Sequence, residues 1–567
     1  MKHMWPPEPA GGWLQDGERL APGPHCLREF VSVLYQRLTG AEKRRLSRFF
    51  RTVGEQSIVS VCSGTDSPVL CQSSISEAAR LDETIDFARV FKHACSCDIV
   101  EYKRRFIHEM YGAAYIFFDI ADMLQDNLKN WVTQALCKFP LLNEYTILYG
   151  GFPCTDVSFL NMYSRTGENM SSCANGTLRT GNVFQMIVKL CVLRSIDVIV
   201  LENVTALCAQ DRERNPSNYD SVRKTLRQAG YVVRSFVLHP WMFGSPQSRG
   251  RVWICAVRGR LLARLAGVSM NRPNVDTVGR IWQEALSRYI SRFVGHPLMC
   301  LRKHFASHSW QLKGDLLNPA KRDSPAVSSS GSGMKWVNGH IHMFDIRGKA
   351  WWTESEYSHS RDVFEGFNTL TFREFDSMEI RRDSCGVENS VVDVSQSLVR
   401  CTPGGANKDV GGLAGDICPC ITPNGRFWSI PDRRLLSGLE TLRVQGITFP
   451  DQREKEMLLS FSQNQVQDLA GNAFSAFVCA AVTVALEMAL SDVLGQSDSP
   501  SDEGIAGGDD AAERSDEGIA EEDCSGRGAA VSGDAVEMEP PIKTRRLSSG
   551  LVGFQNLFGH WDWGESV

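Results

Sequence analysis

Cys154 is the first residue of this chain whose type and position could do chemistry. It follows Pro153 just after the apolar run TILYG, so the thiol stands at the carboxyl end of a predicted strand. Ligands of open α/β sheets bind at such ends, and a thiol there is a candidate nucleophile. A PC dipeptide alone does not separate a nucleophile from a packing residue, because buried thiols are common in cores.

A carboxylate and two guanidinium groups occupy comparable places later in the chain. Glu202 and Asn203 end the apolar run DVIVLEN, 48 residues after the thiol. A glutamate there can be a proton donor, or it can cap the next helix. Gln247, Arg249 and Arg251 lead into the run RVWICAV. In an extended chain the two arginines point to one side, where they clamp an anion or remain surface residues.

Short apolar runs and helix-like segments alternate around these residues. The runs are SIVSVC, HACSCD, YIFFD, TILYG and DVIVLE, and the clearest helical segment between them is NVFQMIVKLCVLRS. Such alternation is typical of parallel βαβ units, so it predicts a doubly wound, Rossmann-like α/β sheet. With YVVRSFVL and RVWICAV as further strands, this predicted core covers residues 57–258.

The remaining segments differ in composition from this core. Residues 1–56 are predicted to be an N-terminal extension, and residues 259–430, where the alternation is lost, to be a separate irregular domain. The core is predicted to resume over residues 431–490, which end in a strongly apolar helix. Residues 491–567 contain 17 acidic and 5 basic residues, a composition that predicts a disordered acidic tail because it cannot bury a core.

Composition narrows the class of protein. The chain has 567 residues, of which 43% are hydrophobic and 22% charged, as expected for a globular enzyme. No run approaches 18 consecutive apolar residues, so no membrane partner is expected. The 18 cysteines include no CxxC pair, which favours buried thiols over a metal site. Residues before the tail are mildly basic, which is compatible with a nucleic-acid partner.

Taken in order, the motifs resemble one family. SVCSGTDSP, FPC, ENV, QSRGR, RRLLSGLETLRVQGITFP and AGNAF follow the ordered signatures of the DNA cytosine-5 methyltransferases. The resemblance covers about residues 57–490, with residues 259–430 in the place of the family's target-recognition region. It implies transfer of a methyl group from S-adenosylmethionine to carbon 5 of a cytosine in duplex DNA.

The resemblance also implies roles for the polar residues. Cys154 would add to carbon 6 of a cytosine flipped out of the duplex. Glu202 would donate a proton to N3, which requires a protonated carboxyl at that moment. Arg249 would touch the base carbonyl and steady the loop of the nucleophile. Three further residues would support the substrate site: Arg251, Gln247 and Asn203.

The methyl donor would lie over the first strands. Gly64 would allow the donor to approach the backbone closely. Asp98 would accept hydrogen bonds from the ribose hydroxyls, and Asp119 would reach the adenine amino group. Pro153 and Asn472 would complete this site. The first motif departs from the family pattern, because Cys62 replaces an aromatic residue and Thr65-Asp66-Ser67 stands where glycines are usual.

Two alternatives remain open from the sequence. One is an RNA-directed member of the superfamily, since a tRNA-modifying branch shares these motifs. The 182 residues between Arg251 and Arg434 favour duplex DNA, because that branch is compact. The other is an inactive nucleic-acid-binding protein on the same scaffold, which the altered first motif favours and the intact Cys154 and Glu202 oppose. Basic residues at 543–546 beside the acidic tail favour a nuclear location.

Overall fold

A seven-stranded sheet forms the centre of the protein, seen here in a computed structural model. The structure describes residues 26–85, 89–159, 167–210, 216–296, 374, 378, 391–395, 417–430, 432 and 434–495. Most of the predicted recognition region, and the predicted tail beyond residue 495, therefore lie outside the described residues. All described residues belong to one unit, Met1–Pro500.

The strands have the following bounds: β1 (Gln56–Val61), β2 (Phe91–Cys97), β3 (Ile116–Phe117), β4 (Leu128–Lys129), β5 (Leu136–Cys137), β6 (Tyr145–Gly150), β7 (Val198–Val204), β8 (Tyr231–Leu238), β9 (Arg251–Arg258), β10 (Val391–Asp393), β11 (Phe427–Ser429) and β12 (Arg434–Leu435). The helices are α1 (Leu27–Gln36), α2 (Gly40–Val53), α3 (Ser67–Leu81), α4 (Glu101–Tyr111), α5 (Ser172–Asn175), α6 (Leu178–Leu193), α7 (Asn218–Gln228), α8 (Gly259–Ala266), α9 (Arg272–Phe293), α10 (Gly438–Val444), α11 (Asp451–Ser460), α12 (Gln463–Asn472) and α13 (Ala476–Gly495).

The sheet confirms the predicted doubly wound fold. Its strand order is β3-β2-β1-β6-β7-β9-β8, in which β3, β2, β1, β6 and β7 are parallel and β9 is antiparallel to both of its neighbours. The chain proceeds outward from β1 to β3 on one side and from β6 to β7 on the other, where β8 forms the edge and β9 inserts between β7 and β8. The crevice outside the carboxyl ends of these two strands is where such sheets bind ligands.

Helix α13 forms the centre of one face of the core. Most of its residues are apolar, with Glu487 and Asp492 as its charged residues, and a helix of that composition is buried on nearly every side. It packs against α9, α2, α3 and α8. By length and composition alone, the stretch Gln463–Leu494 could cross a membrane, but its most apolar window is entirely buried inside the protein. Its hydropathy is therefore accounted for by core packing.

Two predicted boundaries differ from the structure. Helices α1 and α2, in the predicted extension, pack against α3 and α13. Helices α8 and α9 continue from β9 and pack against the sheet and α13, so residues 259–293 belong to the core and not to an inserted domain. The reason is the apolar face of α9, which buries Trp282, Leu286, Tyr289, Ile290 and Phe293. Loss of strand alternation marks the end of the sheet, but not the end of the core.

Candidate active site

The cysteine loop, residues 152–159, leaves β6 at the central crevice. Gly151 directly precedes it, and a Cβ on Gly151 would lie 2.8 Å from Cε1 of Phe474, closer than packed atoms tolerate. Glycine thus lets the loop pass the Phe474 ring. The carbonyl of Cys154 accepts from the backbone N–H of Val157 at 3.2 Å and of Ser158 at 2.8 Å. The thiol therefore stands at the start of a tight turn and is partly exposed.

The end of β7 is joined to this loop by Asn203. Its Nδ2 donates to the carbonyl oxygen of Phe152 at 3.0 Å, and its side chain is buried. The neighbouring side chain, Glu202, is 8% exposed and lies at the same edge of the sheet. The hydrogen bond joins the two strand ends, and the charge of Glu202 is near enough to act on the Cys154 thiol.

The two arginines after β8 meet the carboxylate. Nε of Arg251 lies 3.1 Å from Oε1 of Glu202, and Nη2 of Arg249 lies 3.9 Å from the same oxygen. Arg249 also donates to the carbonyl oxygens of Ile421 at 2.7 Å and Ala473 at 2.9 Å. A third carbonyl, that of Gly471, accepts from both Nη atoms at 3.2 Å. Arg249 therefore holds late segments of the chain against the site.

These charges act on the Cys154 thiol. Burial raises the pKa of the Cys154 thiol, Arg251 lowers it, Glu202 raises it and Arg249 lowers it, and the net result is a raised pKa. Burial likewise lowers the pKa of Arg249, with the neighbouring charge of Arg251 as the second cause. The thiol is thus protonated at neutral pH in the free protein, beside two cations that stabilise its thiolate.

Cys420 is a feature of the site that the sequence did not reveal. Its Sγ lies 3.6 Å from Nη2 of Arg251 and 3.9 Å from Nη1 of Arg249, so a second thiol faces the same guanidinium groups. The available signal was a second PC dipeptide, Pro419-Cys420, which resembles the first. Its backbone is brought here by Cys418, which pairs with Gln247 in a parallel bridge. Gln247 itself is fully buried.

The other side of the crevice carries the predicted donor residues. Gly64 has a positive φ of 56°, and a Cβ there would lie 3.3 Å from the backbone oxygen of Asn472. Its N–H donates to Oδ2 of Asp98 at 2.9 Å, while Oδ1 of Asp98 accepts from the N–H of Val100 at 2.9 Å. Asn472, from the late AGNAF segment, therefore lies beside the loop after β1.

Asp119 completes this group. Its Oδ1 accepts from the N–H of Ala121 at 2.9 Å. The pKa of the Cys62 thiol is raised to about 12, mainly by burial and in part by the charges of Asp98 and Asp119, so both carboxylates lie near this one thiol. A close backbone approach at Gly64 beside two carboxylates fits a donor with ribose hydroxyls and an amino group. Pro153, partly exposed, directly precedes Cys154.

In the part of the chain that the structure describes, no group of three or more His, Cys, Asp or Glu side chains could hold a metal ion. The described cysteines are all free thiols. The side chains that meet at the crevice are two thiols, a carboxylate and two guanidinium groups, next to the Gly64 approach.

Comparison with known proteins agrees with this geometry. The family model for C-5 cytosine-specific DNA methylases matches residues 91–487, well over half of the chain. The chain belongs to this family. That span includes the cysteine loop, the ends of β7 and β9, and all but the last residues of α13.

Individual relatives are more distant. The chain is 23% identical over 446 residues to the DNA (cytosine-5-)-methyltransferase DMT5 of Cryptococcus neoformans, covering 76% of this chain and 17% of that protein. It is 31% identical over 116 residues to the Type II methyltransferase M.Bsp6I of a Bacillus species, covering 20% of this chain and 33% of the relative. The chain thus spans a third or less of the length of these relatives.

Among solved structures, the chain is similar to Dnmt2 methyltransferase of S. pombe, with a TM-score of 0.36 and 12% identity. That match covers 76% of this chain and 98% of the other. It is also similar to the methyltransferase EhMeth of Entamoeba histolytica, with a TM-score of 0.35, 11% identity, and coverage of 76% and 98%.

Proposed function

We propose that this protein transfers a methyl group from S-adenosylmethionine to carbon 5 of cytosine in duplex DNA, through a covalent adduct between Cys154 and carbon 6. The observation that carries the proposal is the convergence of Cys154, Glu202 and Arg251 at the edge of the sheet beside Gly64. Membership of the cytosine-specific family gives the target base and its carbon. The long segment between β9 and β12 favours duplex DNA as the substrate.

The donor site would be made by three groups. Gly64 would allow close approach to the backbone, Asp98 would accept hydrogen bonds from the ribose, and Asp119 would accept one from the adenine amino group. When bound, S-adenosylmethionine supplies an electrophilic methyl group on a sulfonium. Asn472 would close the site from the late segment, because its backbone already meets Gly64.

On the catalytic side, Cys154, Glu202 and the two arginines have separate roles. Sγ of Cys154, as a thiolate beside Arg251 and Arg249, bonds to carbon 6 and sends the ring electrons toward carbon 5. Glu202 supplies a proton at N3, so that no negative charge accumulates on the ring. After carbon 5 is methylated, its proton leaves to a base, the Sγ–carbon bond breaks, and the N3 proton returns to Glu202. The ring regains its aromaticity, and the thiolate is free again.

This chemistry requires a base outside the duplex. Carbon 6 and N3 are inaccessible in stacked, paired DNA, and flipping one base costs a few kcal/mol. The cysteine loop and the segment that carries Cys420 flank the place where such a base would enter. Arg249 contacts both late segments and approaches Glu202, so it would hold the walls of this pocket.

Transfer of labelled methyl groups tests the substrate. The full chain is incubated with labelled donor and either duplex DNA or tRNA, and the nucleosides are then separated. We expect 5-methylcytosine in the duplex and none in tRNA. Label in tRNA alone would replace the DNA assignment with the RNA alternative, and no label in either would favour the inactive scaffold.

Adduct trapping tests the mechanism. Duplex DNA with 5-fluorocytosine should form a stable covalent complex in the presence of donor, because fluorine does not leave as the proton does. Cys154→Ser should give no complex but should retain donor and DNA binding. Cys137→Ser, which alters a thiol on β5 away from the site, is the matched control and should trap normally. Trapping by Cys154→Ser contradicts the nucleophile assignment.

A further inference from the structure

The donor loop, residues 62–67, has a backbone that its residue types make unusual. Cys62 and Asp66 both have a φ of 52°, in the left-handed region that glycine occupies most easily. Aspartate tolerates this region better than most residues, especially when its side chain is held by local hydrogen bonds. Asp66 stands where the family pattern has a glycine, so something other than glycine has to fix the loop.

The side chain of Asp66 points to β2. The carboxylate is fully buried, and its Oδ2 accepts a short hydrogen bond from Oγ of Ser96. The same oxygen lies 3.2 Å from Nε2 of His93, which is itself 2.7 Å from the Ser96 hydroxyl. Asp66 occupies the N-cap position of α3 but makes no side-chain hydrogen bond to that helix. An acidic residue that would ordinarily cap a helix is therefore committed to a neighbouring strand.

A bulge in β2 makes this possible. Ile58 of β1 pairs with His93, but the next residue, Val59, pairs with Cys95, so Ala94 is extra. In a regular strand, residues three apart face opposite sides of the sheet. The extra residue reverses that alternation, so His93 and Ser96 come to the same side, where both reach Asp66.

The rest of the donor loop is tied at its other residues. Oγ1 of Thr65 and Oγ of Ser67 are 2.8 Å apart, and Tyr111 donates to the Thr65 carbonyl at 2.9 Å. Gly64 is held by Asp98. The donor loop is thus held at several of its residues. The carboxylate of Asp66 supplies one of these contacts, close to the Gly64 backbone that would approach the donor.

We propose that Asp66, Ser96 and His93, here called the β2 tether, position the donor loop for S-adenosylmethionine and replace the conformational role of the family's glycine. This inference rests on the proposed function, because the loop is a donor site only if the protein is a methyltransferase. The three are positioning residues: they act through the Gly64 backbone. Loss of the tether changes donor affinity and the KM for donor, with kcat at saturating donor preserved.

Calorimetric titration of the full chain with S-adenosylmethionine tests the tether. Ser96→Ala and His93→Leu should each weaken donor binding about tenfold, as expected for loss of a hydrogen bond to a charged group. His93→Gln, which keeps a nitrogen donor, should recover most of the affinity. Ser73→Ala is the control, because that hydroxyl only bonds the Val69 carbonyl of its own helix.

The variant Asp66→Gly distinguishes the effect of the tether's hydrogen bonds from the effect of the loop's backbone conformation. Glycine accepts the left-handed φ but cannot bond to β2, so the tether requires weaker donor binding in this variant. Retained or improved affinity would mean that conformation alone matters and would overturn the proposal. If the wild-type protein does not bind the donor, the proposed function is contradicted as well. If the wild-type protein binds it normally and Ser96→Ala and His93→Leu bind it equally well, the tether alone is contradicted. His93 is partly exposed, so its variants decide the question if Ser96→Ala does not fold.

Discussion

The donor side and the catalytic side of the crevice are held by contacts of different range. Gly64 and Asp66 bond to residues of β2 and its end, 34 and 30 positions along the chain. Arg249, in contrast, bonds to the carbonyls of Ile421, Gly471 and Ala473, which lie 172 to 224 positions later. The donor side is thus assembled mainly within the first βαβ units, and the catalytic side requires the return of the chain after the predicted recognition region.

The kind of interaction differs as well. Hydroxyl, imidazole and backbone groups meet carboxylates on the donor side, whereas on the catalytic side two guanidinium groups share one carboxylate and two thiols. Buried charges interact strongly, and breaking a buried pair leaves an uncompensated charge behind. Changes on the catalytic side should therefore affect the chemical step strongly, and changes on the donor side should affect binding moderately.

Glu202→Gln should give the largest effect and tests the catalytic side of this comparison. The amide keeps the shape but cannot supply a proton to N3, so kcat should fall about 10³-fold, within the usual range for loss of a general acid. Donor affinity should stay within about twofold of wild type, because the donor residues lie across the crevice. Single-turnover methylation and donor titration measure the two quantities. A loss of donor affinity equal to the loss of rate would erase the division between the two sides.

Arg251→Met should lower the rate of adduct formation about 10²-fold at neutral pH, the size expected when one preorganised charge is lost. The direction in which the rate changes with pH follows from the pKa of the Cys154 thiol. Its pKa is already raised by burial, and Arg251 is the main charge that lowers it, so removing Arg251 raises it further. The rising limb of the rate against pH should therefore move to higher pH.

The pH dependence of adduct formation by Arg251→Met tests whether Arg251 acts on the thiol. Adduct yield with 5-fluorocytosine DNA, measured between about pH 6 and pH 9.5, should recover toward wild type at the alkaline end, where the thiolate forms without help. Arg258→Gln, at the other end of β9, is the matched control and should leave the pH limb in place. An unshifted limb in Arg251→Met would mean that this guanidinium acts on the substrate and not on the thiol.

The sequence predicted the parts of the site that follow strand ends. The spacing of apolar residues and the composition of a segment are local properties of the sequence. They were sufficient to recognise strands β1, β2, β6 and β7, and with them Cys154 and Glu202. Cys420 could not be placed, because its position depends on the pairing of Cys418 with Gln247 across a long segment. Such pairings follow from tertiary packing, which no local pattern encodes.

The same reasoning explains the missed boundary and the missed tether. Helix α9 has a clear apolar face, but only the structure shows that this face meets α13. His93 and Ser96 are three residues apart, and an unbroken strand would turn them to opposite faces. The bulge that brings them together leaves no mark in the composition of β2. The departure at Asp66 could be read from the sequence, but the way it is accommodated could not.

Asp98→Asn tests the donor side and should have a smaller effect. The amide can still accept from Val100 through Oδ1, but its NH2 group faces the N–H of Gly64, which then has no acceptor. We expect donor affinity to fall about tenfold, as for loss of one charge-assisted hydrogen bond. Titration with donor measures this, and kcat at saturating donor should change little. Glu101→Gln, an exposed residue in the first turn of α4, should bind donor normally. A greater loss in kcat than in affinity would contradict the comparison.

Gly151→Ala should show the smallest effect, and it connects the two sides. The added methyl group would meet the Phe474 ring at 2.8 Å, and that ring is packed edge-on against Trp253, with the centroids 5.3 Å apart. The cysteine loop should shift instead, and kcat should fall several-fold, because a small displacement of a nucleophile is costly. Phe474→Leu provides room, so the double variant should be faster than Gly151→Ala alone, and a double-mutant cycle measures this coupling. Additive losses would mean that Phe474 does not set the position of the cysteine loop.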